Sequence, residues 1–431
     1  MRKRSRSVLL PVLVVLALVL AACADDGTAD TTAPAPDTTE GAPDTTEAGS
    51  DTTEPASDTT EAPAGEPIRI GALTDLTEFT PWAVNARDGM ELAAEEINAA
   101  GGVDGRMIEI VIQDSANDAD AGIDGFNRLL EEDVVAVGGP ISSTVAAAVA
   151  ELAEEEQMPF LLTKAGTEAA LTMDSRYTFR TCLPAAPMTA GPVLQYAEEQ
   201  GLSNVGVIVA DYAWGQAFAD AVESTFEGSD VDYGEIQVAP VPPDTDFTPF
   251  VRNIADAEMV VATGHPPGNA AILALAAELV GDVPVTGAWI PPDLAVGAQP
   301  DVAIGRYADF SCVDYTSDGY EALAERYLEY SDNAMMSDDA VSGFGIVTMV
   351  AEAVGEVGDD PTAISEYLHA NTFDLEGYAH PVSWTEWGEL AESQPTFFQI
   401  VEGGSPVNEA GDWWIELLSQ SDPLEPYEPG S

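Results

Sequence analysis

Lysine is almost missing from this 431-residue chain: Lys3 and Lys164 are the only two, and arginine brings the basic total to just 14 against 76 aspartates and glutamates. The formal charge of −62 excludes nucleic acid as a partner, because a phosphate backbone is bound chiefly through Lys and Arg. Neither lysine follows a glycine, so the Walker A loop is absent, and with it the commonest class of NTPase. The three cysteines, Cys23, Cys182 and Cys312, are too few for a small disulfide-stapled scaffold. His265, His369 and His380 stand singly, without HExxH spacing, and no Gly-x-Ser-x-Gly elbow occurs. Asp118, Asp120 and Asp124 look like part of a calcium loop, but the glycine and terminal glutamate it needs are misplaced, and these acids suit the opening turn of a helix instead. No enzyme, metal or cofactor is expected.

Only one long apolar run is evident, Val8 to Leu20, interrupted by Pro11 and preceded by the basic residues Arg2, Lys3, Arg4 and Arg6. It reads as a signal peptide over 1–22. It ends Leu20-Ala21-Ala22-Cys23, which resembles a bacterial lipobox, so Cys23 is the expected lipidation site; an uncleaved anchor is the alternative. Cleavage leaves 10 basic residues against 76 acidic ones. After Cys23 come four Asp-Thr-Thr-Glu units, starting at Asp37, Asp44, Asp51 and Asp58. The seven-residue period is not a coiled coil, because its apolar positions hold Thr, Pro, Ala and Gly. Residues 23–66 are read as a lipid anchor followed by a disordered tether, whose flexible part would reach roughly 35 Å.

From Ile68 the chain alternates β-rich runs with amphipathic stretches. Strands are expected at 68–73, 107–113, 134–137 and 159–163, with helices at 87–100, 119–132 and 143–156; Asn85 is the expected cap of the first helix and Gly101-Gly102 its stop. After a crossover near 179–187 the pattern restarts, with strands at 205–210, 233–238, 259–263 and 283–287 and helices at 216–226, 248–255 and 268–280. Two such series imply an α/β fold with two parallel sheets flanked by helices. Residues 306–313 read as a strand and 318–356 as largely helical, returning to the first sheet. Short strands at 377–387 and 396–401 then return to the second.

The segments 68–114, 134–144 (VVAVGGPISST), 177–184 (YTFRTCLP), 211–220 (DYAWGQAFAD), 244–250 (DTDFTPF) and Gly264-His265-Pro266 together resemble the leucine/isoleucine/valine-binding protein family, solute-binding receptors of ABC importers with a type I periplasmic-binding fold. The resemblance spans about 68–400. It implies two lobes joined by three hinge crossovers: 67–183 with 315–378, and 184–314 with 379–420, leaving 421–431 as a flexible tail. It also implies an extracytoplasmic, lipid-anchored monomer that captures a small amino-acid-like, carboxylate or amide solute by hinge closure and presents it to an ABC permease. A receptor of the same fold that signals to a membrane partner is the alternative.

Ligands of open α/β sheets bind beyond the carboxyl ends of the strands. Those ends carry Thr80, Trp82, Ser142, Ser143, Lys164, Ala165, Gly166 and Thr167 in lobe one, and Tyr212, Trp214, His265, Trp289 and Asp293 in lobe two. The Ser142–Ser143 and Lys164–Thr167 loops are expected to seat a ligand carboxylate on helix N-termini, with Ser143 also capping the helix that follows and Ser142 facing solvent or ligand. Aromatic side chains form the apolar wall. Lys164 is expected either to face the cleft and pair with an anionic ligand or to pair with Glu168 in solvent; the acidic surface reads first as a solvated exterior, and a cationic ligand, the alternative its field would concentrate, excludes the first. By resemblance, an acid just after Gly287 would hold a ligand ammonium, but Trp289 stands there and Asp293 follows four residues later. Val260 to Ala262 replace an expected aromatic, so the ligand is expected to depart from α-amino acids. With Cys23 lipidated, Cys182 and Cys312 lie beside crossovers that the family places together, and either pair as a disulfide or remain buried thiols.

Overall fold

The computed structural model describes residues 65–77, 79–241, 245–263, 268–287, 289–297 and 300–430. The leader, Cys23, the acidic repeats and His265 lie outside them.

The first sheet holds β1 (Ile68–Thr74), β2 (Ile108–Asp114), β3 (Ala136–Gly138), β4 (Phe160–Leu162) and β5 (Thr178–Arg180), in the order β2-β1-β3-β4-β5 with every pair parallel. Helices α1 (Thr80–Ala99), α2 (Ala119–Glu131) and α3 (Ser143–Glu156) connect its strands. Coverage by helices explains why Ile68, Ile70, Ala72 and Leu73 are all fully buried rather than alternately exposed. α1 starts seven residues before the expected Arg87. Pro81 occupies its first turn, where no intrahelical donor is needed, and Asn85 is an interior residue whose amide donates to the Pro81 carbonyl at 2.8 Å. Asp118 caps α2 by accepting from the Ala121 N–H at 2.9 Å.

The chain then enters the second lobe through α4 (Ala186–Glu199). The sequence pattern hides this helix, because Pro187 and Pro192 read as breakers; Pro187 lies in the first turn and Pro192 is tolerated inside. There follow β6 (Val205–Ala210), α5 (Ala213–Phe226), β7 (Gln237–Ala239), α6 (Thr248–Asn253), β8 (Met259–Thr263), α7 (Asn269–Leu279), β9 (Val285–Thr286), the short helices α8 (Pro292–Val296) and α9 (Pro300–Ala303), and β10 (Ala308–Ser311). Strands β6 to β9 form a parallel sheet ordered β7-β6-β8-β9. A bridge between Val285 and Tyr307 joins its edge to an antiparallel sheet, β10-β11-β12, completed by β11 (Thr396–Glu402) and β12 (Trp413–Gln420).

Between β10 and β11 the chain revisits the first lobe with α10 (Asp318–Tyr330), α11 (Asp338–Val357) and α12 (Pro361–Ala370). α11 is long and apolar enough to span a bilayer, contrary to the single apolar run expected, yet it is a core helix packed on α1. Two glycines permit that approach: a Cβ on Gly89 would meet the Ala340 carbonyl oxygen at 2.0 Å, and one on Gly343 the Ala86 oxygen at 2.1 Å.

Residues 377–387 form no strand and do not return to lobe two. Val382, Trp384 and Leu390 bury in the first-sheet core, with Trp384 edge-on to Phe179. Glu389 also pairs with Arg180 of β5 at 2.9 Å, both fully buried. Lobe one therefore extends to about residue 390 rather than 378. The expected free tail is docked: the Ser421 N–H donates to the Pro395 carbonyl at 3.0 Å, and the Trp387 indole N–H to the Tyr427 carbonyl at 3.0 Å.

The three crossings lie together. Cys182 and Cys312 form a disulfide with Cα atoms 5.3 Å apart, the Ala379 N–H donates to the Cys312 carbonyl at 2.8 Å, and the Thr396 hydroxyl donates to the Val313 carbonyl at 2.7 Å.

Candidate functional site

Just past β1, the buried Asp75 carboxylate accepts the Ile141 and Ser142 N–H groups, each at 2.9 Å, and the Ser115 hydroxyl. Burial raises its pKa above the ordinary carboxylate value against these donors. The Ser142 N–H, one of those expected to seat a ligand carboxylate, is thus satisfied by the chain itself. Ser142 caps α3 at 3.3 Å from the Val145 N–H and bonds Asn117, while the Ser143 hydroxyl accepts the Thr167 N–H at 3.3 Å. The cap is Ser142 and not Ser143 as expected, and both serines are fully buried. The Ala165 carbonyl accepts from Arg180. Thr167 caps a short 3-10 turn. Thr80 is exposed, its hydroxyl donating to the Leu76 carbonyl at 2.6 Å. None of these five residues reaches the interlobe cavity, because their polar groups are spent on the loops that carry them.

Asp309 on β10 plays the corresponding part in lobe two. Its carboxylate accepts the Trp289 N–H at 3.0 Å, the Ile290 N–H at 2.9 Å and the Thr286 hydroxyl at 2.9 Å. This grip holds Trp289 at φ +77°, a left-handed conformation rare outside glycine, and sets its indole against Phe310 with ring centroids 5.6 Å apart.

The loops of the two lobes meet around a small cavity of about 20 Å³, room for about one water. Lobe one contributes Trp82, Ile141, Lys164 and Leu183. Lobe two contributes Tyr212, Trp214, Thr263, Trp289 and Ile290. Trp214 crosses to lobe one: a Cβ on Gly166 would meet its ring at 2.1 Å, and its indole N–H donates to the Thr263 hydroxyl at 2.8 Å. The lobes are therefore closed, with an indole seated on a residue that must be glycine. Gly166→Ala is expected to shift the resting population toward open lobes, seen as a larger radius of gyration in solution scattering with unchanged far-UV circular dichroism. An unchanged radius would contradict this reading of the contact.

Lys164 lines the cavity but does not offer a free ammonium. Both Asp338 oxygens hold it at 2.7 Å, and Asp339 lies 3.8 Å away. It faces the cleft, as one expectation had it, and meets neither Glu168 nor solvent, but its charge is already matched by the aspartates. Burial pulls the lysine pKa down, but the two aspartates outweigh it and raise it above the ordinary value. Asp339 titrates well above the usual carboxylate range, through burial first and then through Asp338 and Asp293, against Lys164 and the Ser337 hydroxyl. Asp293 is pushed up to about 6, mainly by burial, with Asp338 adding and Lys164 opposing.

A carboxyl whose pKa is higher folded than unfolded contributes stability that is full below its unfolded value and is lost as pH rises through its folded value. For Asp293 that window runs from 3.8 to about 6. Asp293→Asn is therefore expected to raise the melting temperature at about pH 8 and to have little effect at about pH 4. Scanning calorimetry at the two pH values checks this, and an equal shift at both would refute it.

A family model described as periplasmic binding protein matches residues 67–405. The chain belongs to that family. The periplasmic binding protein fold is also that of the solved R. palustris ABC transporter solute-binding protein in complex with benzoate, which aligns with a TM-score of 0.71 at 17% identity over 84% of this chain and 98% of that one. Among curated proteins, the leucine-, isoleucine-, valine-, threonine- and alanine-binding protein of Pseudomonas aeruginosa is 24% identical, covering 67% of this chain and 78% of its own. The Halobacterium salinarum chemotactic signal transduction substrate-binding protein BasB is also 24% identical, covering 84% and 86%. Of the residues read from sequence, the structure gathers Trp82, Lys164, Tyr212, Trp214 and Trp289 on the wall of the interlobe cavity, with Asp293 electrostatically coupled to Lys164. Asp338, Asp339 and Asp309 were not legible as site residues. Adjacent acids opening a helix read as ordinary dipole partners, and Asp309 lies inside a strand.

Proposed function

We propose that this protein is the lipid-anchored, extracytoplasmic receptor of an ABC importer, holding one small solute between its closed lobes and delivering it to a membrane permease. The observation that carries this reading is the cavity walled from both lobes, with Trp214 of one seated on Gly166 of the other. Contacts that form only when the lobes meet let a solute shift the hinge equilibrium. No reaction is required, and the Cys23 lipobox with its acidic tether would keep the receptor at the membrane. A thermal-shift screen of amino acids, amides, carboxylates and polyamines tests the capture, since a solute bound to the native state raises its melting temperature. Uptake of the positive compound, lost on deletion of the chain, tests the transport. A role in signalling is the second reading, supported by the similarity to BasB over most of both chains. Intact uptake together with lost taxis in the deletion strain would favour it.

A further inference from the structure

Resting on that reading of the cleft, we propose that its solute is a small organic ammonium ion bearing a neutral oxygen acceptor, an amino alcohol or amino amide rather than an amino acid or a carboxylate. Three features of the cavity carry this. Its wall presents four aromatic rings, Trp82, Tyr212, Trp214 and Trp289, the surface against which alkylammonium groups are held by cation–π attraction in desolvated sites. Behind it, one cation, Lys164, is held by Asp338 at 2.7 Å with Asp339 3.8 Å away, and the buried Asp293 lies near enough to feel the charge of both Lys164 and Asp338. The cluster therefore has more acid than base, and a further positive charge relieves buried carboxylates that lack a counter-ion. The indole N–H groups of Trp82 and Trp289 and the Asp293 Oδ1 atom are buried with no hydrogen-bond partner among the described residues. Two free donors call for an acceptor on the ligand, and a free carboxylate oxygen calls for a donor or a positive charge.

A ligand carboxylate is disfavoured twice. The Ile141 and Ser142 N–H groups just before α3 are occupied by Asp75, those of Val145 and Thr167 by Ser142 and Ser143, and Lys164 is occupied by Asp338. A hydroxyl or amide oxygen accepts from the indoles without adding negative charge to the cluster. With the lobes closed the cavity is smaller than such a solute, so entry goes through the open form, with the rings reseating around the ammonium on closure.

Isothermal calorimetry on the full chain, with choline, tetramethylammonium, isoleucine and benzoate as probes, tests the proposal. Choline is expected to bind at least about tenfold more tightly than each of the other three, tetramethylammonium being weaker for want of an oxygen. Trp289→Phe is expected to weaken choline about tenfold while leaving tetramethylammonium nearly unchanged, since it removes an N–H and keeps a ring. Asp293→Asn should weaken both ammonium ions by a similar factor. Tighter binding of isoleucine or benzoate than of choline, or no choline heat up to about 10 mM, overturns the proposal; in the first case solute capture itself stands. If Trp289→Phe fails to fold, Trp82→Phe makes the same comparison, and equal loss for both ammonium ions in each variant counts against the acceptor.

Discussion

Replacing Cys182 and Cys312 together by serine is expected to lower the unfolding free energy by about 5 kcal/mol, the loop-entropy value for a closure of this length. The bridge closes 130 residues, nearly the whole second lobe up to β10, and both sulfurs are buried where the crossings lie side by side. No other covalent link joins the crossings among the described residues, so the unfolded chain gains its full freedom on removal. The melting temperature should fall by roughly 10 °C. The double variant, rather than either single one, is the clean test, since it leaves neither partner of the bridge as an unpaired thiol. A fall of no more than about 1 °C would show that the bridge does not restrict the unfolded chain as the loop-entropy account requires.

Lys164→Met is expected to cost about 3 to 5 kcal/mol, the penalty for leaving a buried ion-pair partner uncompensated. Asp338 and Asp339 are each 1% exposed and cannot turn to water without opening α11. They can escape only by taking up protons, so the deficit should be smaller at about pH 5 than at about pH 8. The wild-type lysine is protonated across that interval, its pKa being raised by the same aspartates. Adding Asp338→Leu to Lys164→Met should recover part of the loss, because a buried pair replaced by apolar groups is often neutral. A single variant as stable as wild type at both pH values would mean that Lys164 is not bound as the structure shows.

Much of the fold was legible because its strands are short apolar runs separated by amphipathic helices at regular spacing. β6 and β8 fall on the expected residues, and α3 runs as expected from Ser143 to Glu156. The failures have particular causes. Pro187 and Pro192 disguised α4, and Val382 and Trp384 looked like part of a returning strand but bury in lobe one in an irregular segment. At the site, the aromatic wall was legible because bulky rings at strand ends have few other uses. The charge pattern was not, because Lys164 and Asp338 lie 174 residues apart and only the docking of α11 brings them together. The expected anion seat failed for the same reason: nothing local to the Ser142–Ser143 loop reveals that Asp75, 67 residues before Ser142, takes its donors.

The distance between the lobes tests the account most directly. Spin labels at Asp120→Cys on α2 and Glu223→Cys on α5, both exposed, report it in the full chain without touching the cleft. With a solute that raises the melting temperature, the account predicts one narrow distance population matching the closed lobes, and a shift to longer distances in Gly166→Ala under the same conditions. A distribution that neither narrows with bound solute nor lengthens in Gly166→Ala would contradict capture by closure.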